Sequence, residues 1–446
     1  MLLTEKMFAA IMLMIGAADA AQAQFSNNVT PQSPPGTAIP DLKVTPRSAP
    51  GKGGHVVIPE SSIPRPGDAG KRAHTNVRIF VPNEQTEPQA PTVRPDVGPP
   101  FAGFFFETPG SLACIYNLVT VTPGCDPNIV TAVSTLGSKV VAIVDAFDDP
   151  SALADLQLYS TQFDLPAPNL QVVFATGVRP PLDPTGSWEV EESLDIQMVH
   201  ALAPSAKVIL VEAASNSFTD LLVAEDKASA LVAAAGGGQV SNSWGGGEFP
   251  GQLSLDTHFK NAGVVFFAAT GDSPGVSWPS TSKKVVAVGG TSTTRLSATG
   301  AFSGQSTWSE AGGGLSAFVA RPAYQNGISA IVGGFRGVPD ISADANPDTG
   351  VWVACGVGCG NPPGTWYIVG GTSVASPSVA AMVNGAGRFA SSSASELTTI
   401  YANLGTTKFH DIQQPRGLCG PYAGFLPQVG WDFCTGVGVP HGLWGL

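Results

Sequence analysis

The first candidate for chemistry is a serine at the start of an apolar helix. Ser373 lies in the segment Gly370-Gly-Thr-Ser-Val-Ala-Ser-Pro377, and an apolar helical pattern continues to Asn384. A serine in a glycine-rich turn is exposed to substrate, and the helix dipole favours negative charge that develops beside it. A lone serine at this place is more often an ordinary helix N-cap. A nucleophilic role therefore requires a base nearby.

Two carboxyl groups are the candidate base. Glu191 and Asp195 are four residues apart in a segment with helical periodicity, so they share one helical face. Their like charges repel, which should raise the pKa of one carboxyl group. A carboxylate base supported by a second carboxyl group follows the logic of a catalytic triad without histidine. The alternative is an acidic face that is exposed to solvent. His200 lies five residues beyond Asp195 and points elsewhere.

A third candidate follows a predicted strand. Asp272 ends the segment Ala268-Ala-Thr-Gly-Asp272, and the carboxyl ends of strands in open α/β sheets hold reactive groups. A protonated aspartic acid can donate a hydrogen bond to an oxyanion, whereas an ionised one has no donor. An aspartate that only shapes a turn beside glycine is the alternative.

The elements that must position these residues alternate between strand and helix. The pattern predicts strands at 139–144, 170–174, 207–211, 239–243 and 263–268. It predicts helices at 150–163, 188–202, 218–235 and around 253–260. Apolar strands separated by helices are typical of a parallel sheet with helices on both faces. We therefore expect an α/β fold with one large catalytic domain at 108–446.

Composition excludes one class of function. The 446 residues contain 22 Lys+Arg against 34 Asp+Glu, which gives a net charge of −12. A nucleic-acid-binding protein would need a basic surface, so we expect no nucleic-acid partner. Charged residues make up only 13% of the chain, and a surface poor in charge but weighted to carboxylates suits acidic surroundings.

The N-terminus predicts export. Lys6 precedes an apolar run at 7–18, and Ala21-Gln-Ala23 has the pattern of a small-residue cleavage site. This pattern predicts a signal peptide at residues 1–23. A membrane anchor is the alternative, but the run is too short to span a bilayer comfortably. Sixteen of the 38 prolines lie between Pro31 and Pro109. Residues 24–107 are therefore interpreted as a proline-rich leader or short propeptide, partly disordered.

The six cysteines agree with a secreted or periplasmic location. An even number of cysteines in an exported chain favours disulfides over a metal site, although the four-residue spacing of one pair also suits metal ligands. Proximity in sequence predicts the pairs Cys114–Cys125, Cys355–Cys359 and Cys419–Cys434.

Together these segments resemble the sedolisin family, the serine-carboxyl peptidases with a subtilisin-like fold. Further stretches carry the resemblance: Ile143-Val-Asp-Ala-Phe-Asp-Asp-Pro150, Asn242-Ser-Trp-Gly245, Val286-Ala-Val-Gly-Gly-Thr291, Gly312-Gly-Gly-Leu-Ser316, Arg336-Gly-Val-Pro-Asp-Ile-Ser-Ala343 and Gly430-Trp-Asp432. The resemblance implies a role for each candidate: Ser373 as nucleophile, Glu191 as general base, Asp195 as the residue that orients Glu191, and Asp272 as the oxyanion donor. Asp145 and Trp244 are expected to extend this network.

The same resemblance implies one structural calcium ion near the C-terminus. Its ligands would be side-chain oxygens of Asp411 and Asp432 and backbone carbonyls of Ile412, Gln428 and Gly430. Ligation by oxygen alone suits a hard cation such as Ca²⁺. Two unrelated surface aspartates are the alternative.

The resemblance implies an exported endopeptidase that cleaves protein or peptide substrates at acidic pH. We expect a monomer, outside the membrane in its mature form. One departure from the family is the short, proline-rich leader, because family members usually carry a large folded prodomain. A His-dependent subtilisin-like protease is disfavoured, since the sequence lacks a His-Gly-Thr-His segment. The remaining alternative is a catalytically inactive, calcium-stabilised binding protein.

Overall fold

The computed structural model describes residues 54–82, 99–100, 104–130, 132–296, 299–413 and 425–446. The predicted signal peptide at 1–23 and much of the predicted leader lie outside the described residues. All described residues belong to one of two units of the chain, Ala38–Leu446.

The strands of the described residues are numbered in chain order. They are β1 (Gly54–Val57), β2 (His74–Thr75), β3 (Arg78–Pro82), β4 (Val140–Ala146), β5 (Leu170–Phe174), β6 (Lys207–Ala213), β7 (Gly238–Asn242), β8 (Trp244–Gly247), β9 (Val264–Ala269), β10 (Ser277–Trp278), β11 (Val286–Arg295), β12 (Phe302–Thr307), β13 (Gly314–Ala320), β14 (Phe335–Val338), β15 (Ile341–Asp344), β16 (Val351–Ala354), β17 (Trp366–Gly370), β18 (Phe409–His410) and β19 (Val439–Pro440).

The helices are numbered in the same way. They are α1 (Pro109–Ile115), α2 (Ala152–Gln162), α3 (Trp188–Leu202), α4 (Phe218–Ala234), α5 (Gln252–Leu255), α6 (Ser329–Val332), α7 (Thr372–Ala386) and α8 (Ser393–Ala402). Short 3₁₀ turns occupy Glu60–Ser62, Asp256–His258, Ala323–Ile328 and Pro347–Thr349. The five predicted strands are confirmed, as are the first three predicted helices. The fourth is a short helix, α5, followed by a 3₁₀ turn.

An eight-stranded sheet forms the centre of the fold. Its order is β12-β11-β9-β7-β4-β6-β5, with β15 also paired to β11. Strand β12 is antiparallel to β11, and the other pairs are parallel. The predicted parallel sheet is thereby confirmed.

Strand β4 shows why an apolar run becomes a central strand. All seven of its residues are buried, as expected for a strand covered on both faces. Val141 and Ile143 belong to the core that also holds side chains of α3 and α7, whereas Ala142 and Val144 belong to the core under α4. Full burial of each valine or isoleucine contributes about 1.5–3 kcal/mol. Helices therefore cover both faces of the sheet, as predicted.

Helices α3 and α7 pack against each other on one face of the sheet. All fifteen residues of α3 are buried, including its acidic ones. A surface helix would have a polar face in water, so α3 is an interior helix despite its charged sequence. This placement brings Glu191 and Asp195 next to the helix that begins with the candidate nucleophile.

Residues 54–82 take part in two smaller antiparallel sheets. The first has the order β1-β3-β17-β16 and the second the order β10-β8-β2. These residues fall within the segment 24–107 that the sequence assigns to the leader. The leader therefore contains ordered strands that pair with the 108–446 region, while its processing boundaries stay predictions.

Two predicted disulfides are present. Cys114 is bonded to Cys125 and Cys355 to Cys359. The third predicted pair, Cys419–Cys434, stays a prediction, because Cys419 lies outside the described residues. None of the helices in the described residues has both the length and the apolar character needed to cross a membrane.

Candidate active site

Three strand ends and two helices bring the candidate residues together. Asp145 lies near the end of β4, Ser243 directly follows β7, and Asp272 lies three residues beyond β9. In parallel sheets these carboxyl ends meet at one edge. Glu191 and Asp195 face the same region from α3, and Ser373 faces it from the first turn of α7.

Ser373 is the second residue of α7, after Gly371 as N-cap. Its hydroxyl donates to the backbone carbonyl of Ser243 at 3.0 Å. Its N–H is one of the donors that a helix start leaves without an intrahelical partner, and it donates to the carbonyl of Asn76 at 3.2 Å. The sequence predicts an exposed serine, but Ser373 is fully buried, because the strand segment around Asn76 covers it.

Gly371 is required by the close packing at this helix start. Its φ of 113° lies in the region that favours glycine. A Cβ atom at this position would lie 2.0 Å from the Asn76 carbonyl oxygen and 2.6 Å from Oδ2 of Asp272. These two oxygens therefore lie side by side next to the start of α7, and any side chain at 371 would collide with both.

The acidic pair on α3 is fully buried, so a solvent-exposed acidic face does not describe it. Oδ1 of Asp195 accepts a hydrogen bond from the Ser243 hydroxyl at 2.9 Å. Neither carboxyl oxygen of Glu191 has a hydrogen-bond partner within the described part of the chain. Burial raises the pKa of Glu191 well above its ordinary value, and the charges of Asp195 and Asp145 raise it further. The nearby Ser373 hydroxyl opposes this shift in pKa.

Asp272 is held by the start of α7. Its Oδ1 accepts from the Thr372 N–H at 2.7 Å and from the Thr372 hydroxyl at 2.9 Å. Its other oxygen lies 3.6 Å from Nη1 of Arg78, and Nη2 of Arg78 donates to the Asp272 backbone carbonyl at 2.7 Å. Burial raises the pKa of Asp272 to about 6, although the Arg78 charge opposes the shift. Below that pH the carboxyl group is neutral and can donate a hydrogen bond.

Further buried carboxyl groups surround the pair. Burial and the charges of Asp195 and Glu212 raise the pKa of Asp145 well above its ordinary value. Burial followed by the charge of Asp148 raises the pKa of Glu212 to about 8. The expected link of Asp145 to the network is thus electrostatic. Trp244 differs from Asp145 in its partners. Its indole N–H donates to the Val144 carbonyl at 3.0 Å, and its ring packs in the core under α4.

Several known proteins are similar to this chain in sequence and in fold. The Subtilase family matches residues 186–394. Kumamolisin of Bacillus sp. (strain MN-32) is 28% identical over 347 residues, which cover 68% of this chain and 59% of that protein. Sedolisin of Pseudomonas sp. (strain 101) is 33% identical over 184 residues, which cover 38% of this chain and 29% of that protein.

A solved structure adds the three-dimensional comparison. Pseudomonas sedolisin, a serine-carboxyl proteinase complexed with two molecules of pseudo-iodotyrostatin, superposes with a TM-score of 0.61 at 24% identity. The match covers 75% of this chain and 95% of that one. In sequence and in fold the chain is thus similar to proteins of the sedolisin family. Its fold is the subtilisin-like α/β fold. The chain spans about three-fifths of the length of kumamolisin and less than a third of that of sedolisin.

Three residues of this site were not predicted: Asn76, Arg78 and Ser243. Ser243 lies in one of the stretches that carry the family resemblance, so its position was visible but its link to Asp195 was not. Asn76 and Arg78 belong to the region interpreted as leader. The one local signal was the short apolar run Val77-Arg-Ile-Phe-Val81, which becomes β3.

The five predicted calcium ligands lie on two neighbouring loops. Oδ2 of Asp411 accepts from the Gly430 N–H at 2.8 Å, and Oδ2 of Asp432 accepts from the Gln428 N–H at 2.9 Å. Ile412 follows Asp411 and is buried. Oδ1 of Asp411 is buried without a hydrogen-bond partner among the described residues, so it is an acceptor available to a cation. These residues fit an oxygen-ligated cation site.

Stability should fall as the pH rises from about 4 to about 8. Burial raises the pKa of Asp149 to about 6 and that of Glu225 to about 8. A raised pKa means that the folded chain holds its proton more tightly than the unfolded chain does. Each such carboxyl group contributes its full stability below the ordinary carboxyl pKa. This contribution is lost as the pH rises through the raised pKa of the group in the folded chain. The measurement is the free energy of unfolding of a Ser373→Ala variant, obtained from urea denaturation at several pH values.

Two variants serve as a matched pair for this prediction. Glu225→Gln should reduce the change in the free energy of unfolding between pH 4 and pH 8, because it removes a buried titrating group. Asp348→Asn should leave it unchanged, because Asp348 is exposed. A free energy of unfolding that stays constant or rises between pH 4 and pH 8 would contradict the prediction.

Proposed function

We propose that the chain is a serine-carboxyl endopeptidase that hydrolyses peptide bonds in proteins at acidic pH. The observation that carries the proposal is the convergence of Ser373, Glu191, Asp195 and Asp272 at one edge of the sheet in a chain similar to sedolisin-family proteins. The hydrogen bonds of Ser373, Asp195 and Asp272 meet at the start of α7 and at Ser243.

In this proposal Ser373 attacks the scissile carbonyl carbon while Glu191 accepts its proton. The free oxygens of Glu191 support this role, as does the effect of the Ser373 hydroxyl on the Glu191 pKa. A small rotation of the Ser373 side chain would move its hydrogen bond from the Ser243 carbonyl to Glu191. Glu191 and Asp195 titrate as a pair. A singly protonated pair can take the serine proton and later return it to the leaving amine.

The tetrahedral oxyanion would receive two hydrogen bonds, one from the Ser373 N–H and one from protonated Asp272. Donors arranged in advance at the position of the developing charge are among the largest contributions to catalysis. The raised Asp272 pKa of about 6 supports a neutral donor in acid. Water activated by the same carboxyl pair would then hydrolyse the acyl-enzyme.

The cellular setting in this proposal is outside the cytoplasm. A secreted or periplasmic enzyme agrees with the predicted signal peptide at 1–23 and with the disulfides at Cys114–Cys125 and Cys355–Cys359. The net charge of −12 and the 13% share of charged residues suit acidic surroundings, in which many surface carboxyl groups are neutral.

One structural calcium ion completes the proposal. Asp411, Ile412, Gln428, Gly430 and Asp432 would hold it through oxygen atoms. The buried, unpartnered Oδ1 of Asp411 is the observation that supports it. The ion would fix the loops around Asp411 and Asp432 and take no part in the chemistry.

Replacement of the candidate nucleophile should abolish proteolysis. Ser373→Ala should lower the rate of casein digestion at pH 4 by at least about 10,000-fold, because removal of a serine nucleophile has an effect of this order. Ser378→Ala is the matched control. Ser378 is a buried serine of the same helix, and among the described residues its hydroxyl bonds only to the Val374 carbonyl, so this variant should stay active. Equal activity in wild type and Ser373→Ala would remove Ser373 from the mechanism. Inactivity of the wild type itself would favour the binding-protein alternative.

Asp272→Asn should extend activity to higher pH. Wild-type activity should decline above about pH 6, where Asp272 loses its proton and with it the donor. An asparagine donates at every pH, so the variant should keep more of its peak kcat/KM at pH 7 than wild type does. The measurement is kcat/KM for one peptide between pH 3 and pH 8. An unchanged alkaline limb would show that Asp272 does not set it.

Calcium removal should lower the thermal stability. A ligand that binds only the folded state at 100 times its Kd adds about 2.7 kcal/mol. Dialysis of the Ser373→Ala variant against a chelator should therefore reduce its Tm, and added Ca²⁺ should restore it. Asp411→Asn should weaken this response, whereas Asp348→Asn should keep it. A Tm that is the same with chelator and with Ca²⁺ would contradict the calcium proposal.

A further inference from the structure

Buried carboxyl groups continue beyond the acidic pair on α3. Asp145 near the end of β4 and Glu212 near the end of β6 are register partners in the central sheet. Neighbouring strands lie about 4.8 Å apart, and side chains alternate between the two faces of the sheet. Ile143 and Leu210, two residues before these carboxyl groups, belong to the core on the α3 side. Asp145 and Glu212 therefore lie side by side and face α3.

These carboxyl groups meet a third one from the helix and lack donors. Glu192 of α3 lies three residues before Asp195, and it is fully buried, as are Asp145 and Glu212. Among the described residues, none of the carboxyl oxygens of Asp145, Glu192 and Glu212 has a hydrogen-bond partner. An ionised carboxylate can only accept, whereas a protonated carboxyl group donates through its O–H. Shared protons would therefore supply the donors that these oxygens lack.

Effects on pKa link these groups to the acidic pair at one end and to Asp148 at the other. Burial and then the charges of Asp195 and Glu212 raise the pKa of Asp145 well above its ordinary value. Burial and then the charge of Asp148 raise the pKa of Glu212 to about 8. Burial and then the charge of Glu212 raise the pKa of Glu192. The cluster thus keeps protons to a higher pH than exposed carboxyl groups do.

The cluster reaches the surface at Asp148, two residues after β4. The side chain of Asp148 is 5% exposed, and its Oδ1 accepts from Nε of Arg179 at 2.8 Å. The side chain of Arg179 is 58% exposed, so water reaches this end. At the other end, Oδ1 of Asp195 accepts from the Ser243 hydroxyl beside the fully buried Ser373. We call Asp195, Asp145, Glu212 and Asp148 the carboxyl row.

A neighbouring carboxyl group lies outside the row because its oxygens already have donors. Oδ1 of Asp149 accepts from the Ser151 N–H and from the Ser151 hydroxyl, both at 2.9 Å. Its Oδ2 accepts from the Ser193 hydroxyl at 3.1 Å. Glu189, which also acts on Glu192, uses Oε1 to accept from the Asp183 N–H at 3.1 Å. Asp149 and Glu189 are thus bonded to fixed donors, whereas Asp145 and Glu212 are not.

We propose that the carboxyl row is a proton path that joins the acidic pair to solvent at Asp148 without passing Ser373. The inference rests on the proposed function and deepens it. Asp148 takes a proton from water and passes one to Glu212, and the same exchange continues through Asp145 to Asp195. One proton enters and one reaches the pair, while every carboxyl group in between ends with as many protons as it had at first. The reverse series releases a proton.

The path gives the pair access to solvent protons while a peptide fills the groove. The proposed mechanism needs a singly protonated pair, and Ser373, Glu191 and Asp195 are all fully buried. Through the row, the pair can reach that state during substrate binding. Glu212 and Asp148 act through Asp145 and Asp195 and do not touch substrate, so they are positioning residues for protons.

Infrared spectroscopy tests the path. Protonated carboxyl groups have a C=O stretching band that shifts when deuterium replaces the proton. The full chain carrying Ser373→Ala, which should not digest protein during the measurement, is moved from H₂O to D₂O at about pH 6, where exposed carboxyl groups are ionised. The band of the pair is identified by its change when Glu191→Gln is added. The measured quantity is the rate at which this band shifts.

Glu212→Gln, added to the Ser373→Ala chain, should slow the shift at least about tenfold. An amide cannot pass a proton on in this way, and a positioned acid or base speeds proton transfer by about 100- to 10,000-fold. Asp148→Asn should slow the shift as well, and its position at the surface keeps the test decisive if Glu212→Gln does not fold. Glu225→Gln is the matched control. It removes a buried carboxyl group of α4 outside the row and should leave the rate unchanged.

The outcomes separate the path from the proposed function. Equal exchange rates in the chains with and without Glu212→Gln and Asp148→Asn would overturn the path, even if wild type digests casein. Lower stability of these two variants at an unchanged exchange rate would show a structural role and would overturn the path as well. A wild type that does not digest casein at pH 4 would overturn the proposed function, and the exchange rates would still decide whether the row carries protons.

Discussion

The structure depends on the burial of acidic side chains on a helix that has no face in water. Glu191, Glu192 and Asp195 all lie on α3, which is enclosed on every side. An ionised carboxylate in such surroundings costs several kcal/mol, and three on one helix would repel one another as well. The folded chain therefore keeps protons on this cluster to a higher pH than exposed carboxyl groups would keep them. Their raised pKa values are a consequence of packing, and the proposed chemistry uses protons that the fold already retains.

The burial of carboxyl groups links the stability of the fold to the proposed function. Carboxyl groups outside the candidate site, such as Glu225 on α4, are buried in the same manner and also have a raised pKa. A chain built in this way is most stable where these groups are neutral, which is also where Asp272 can donate to an oxyanion. The proposed acidic working range agrees with the burial of carboxyl groups both in the site and elsewhere in the fold.

Residues 73–82 place a cation in this acidic environment. Arg78 is the nearest basic partner of Asp272 and opposes the rise in its pKa. The same residues place the Asn76 carbonyl against the Ser373 N–H and a positive charge beside Asp272 and Glu310. The segment at 73–82 and the carboxyl groups of the site are thus linked electrostatically.

Most of the fold was predictable because its signals are local. Apolar runs such as β4 and the periodicity of α3 occur within a few residues of sequence, and the structure confirms both. Residue type and spacing also singled out Ser373, Glu191, Asp195 and Asp272 as candidates, and the structure brings them together, while their chemical roles stay a proposal. Trp244 was predicted to join the carboxyl network, but its indole bonds to a backbone carbonyl and its ring packs in the core, which no local pattern distinguishes.

What the sequence determined by itself is the set of chemical groups and the strands and helices that carry them. What only the tertiary structure decided is their surroundings. The solvent exposure of Glu191 and Asp195 could not be known before α3 was placed between α7 and the sheet. The pairing of the segment at 73–82 with β8 and β17 joins residues far apart in the chain, through backbone hydrogen bonds that leave no mark on residue type. Burial and long-range pairing arise from packing of the whole chain, and they determine which carboxyl groups hold protons and which carbonyl lies over Ser373.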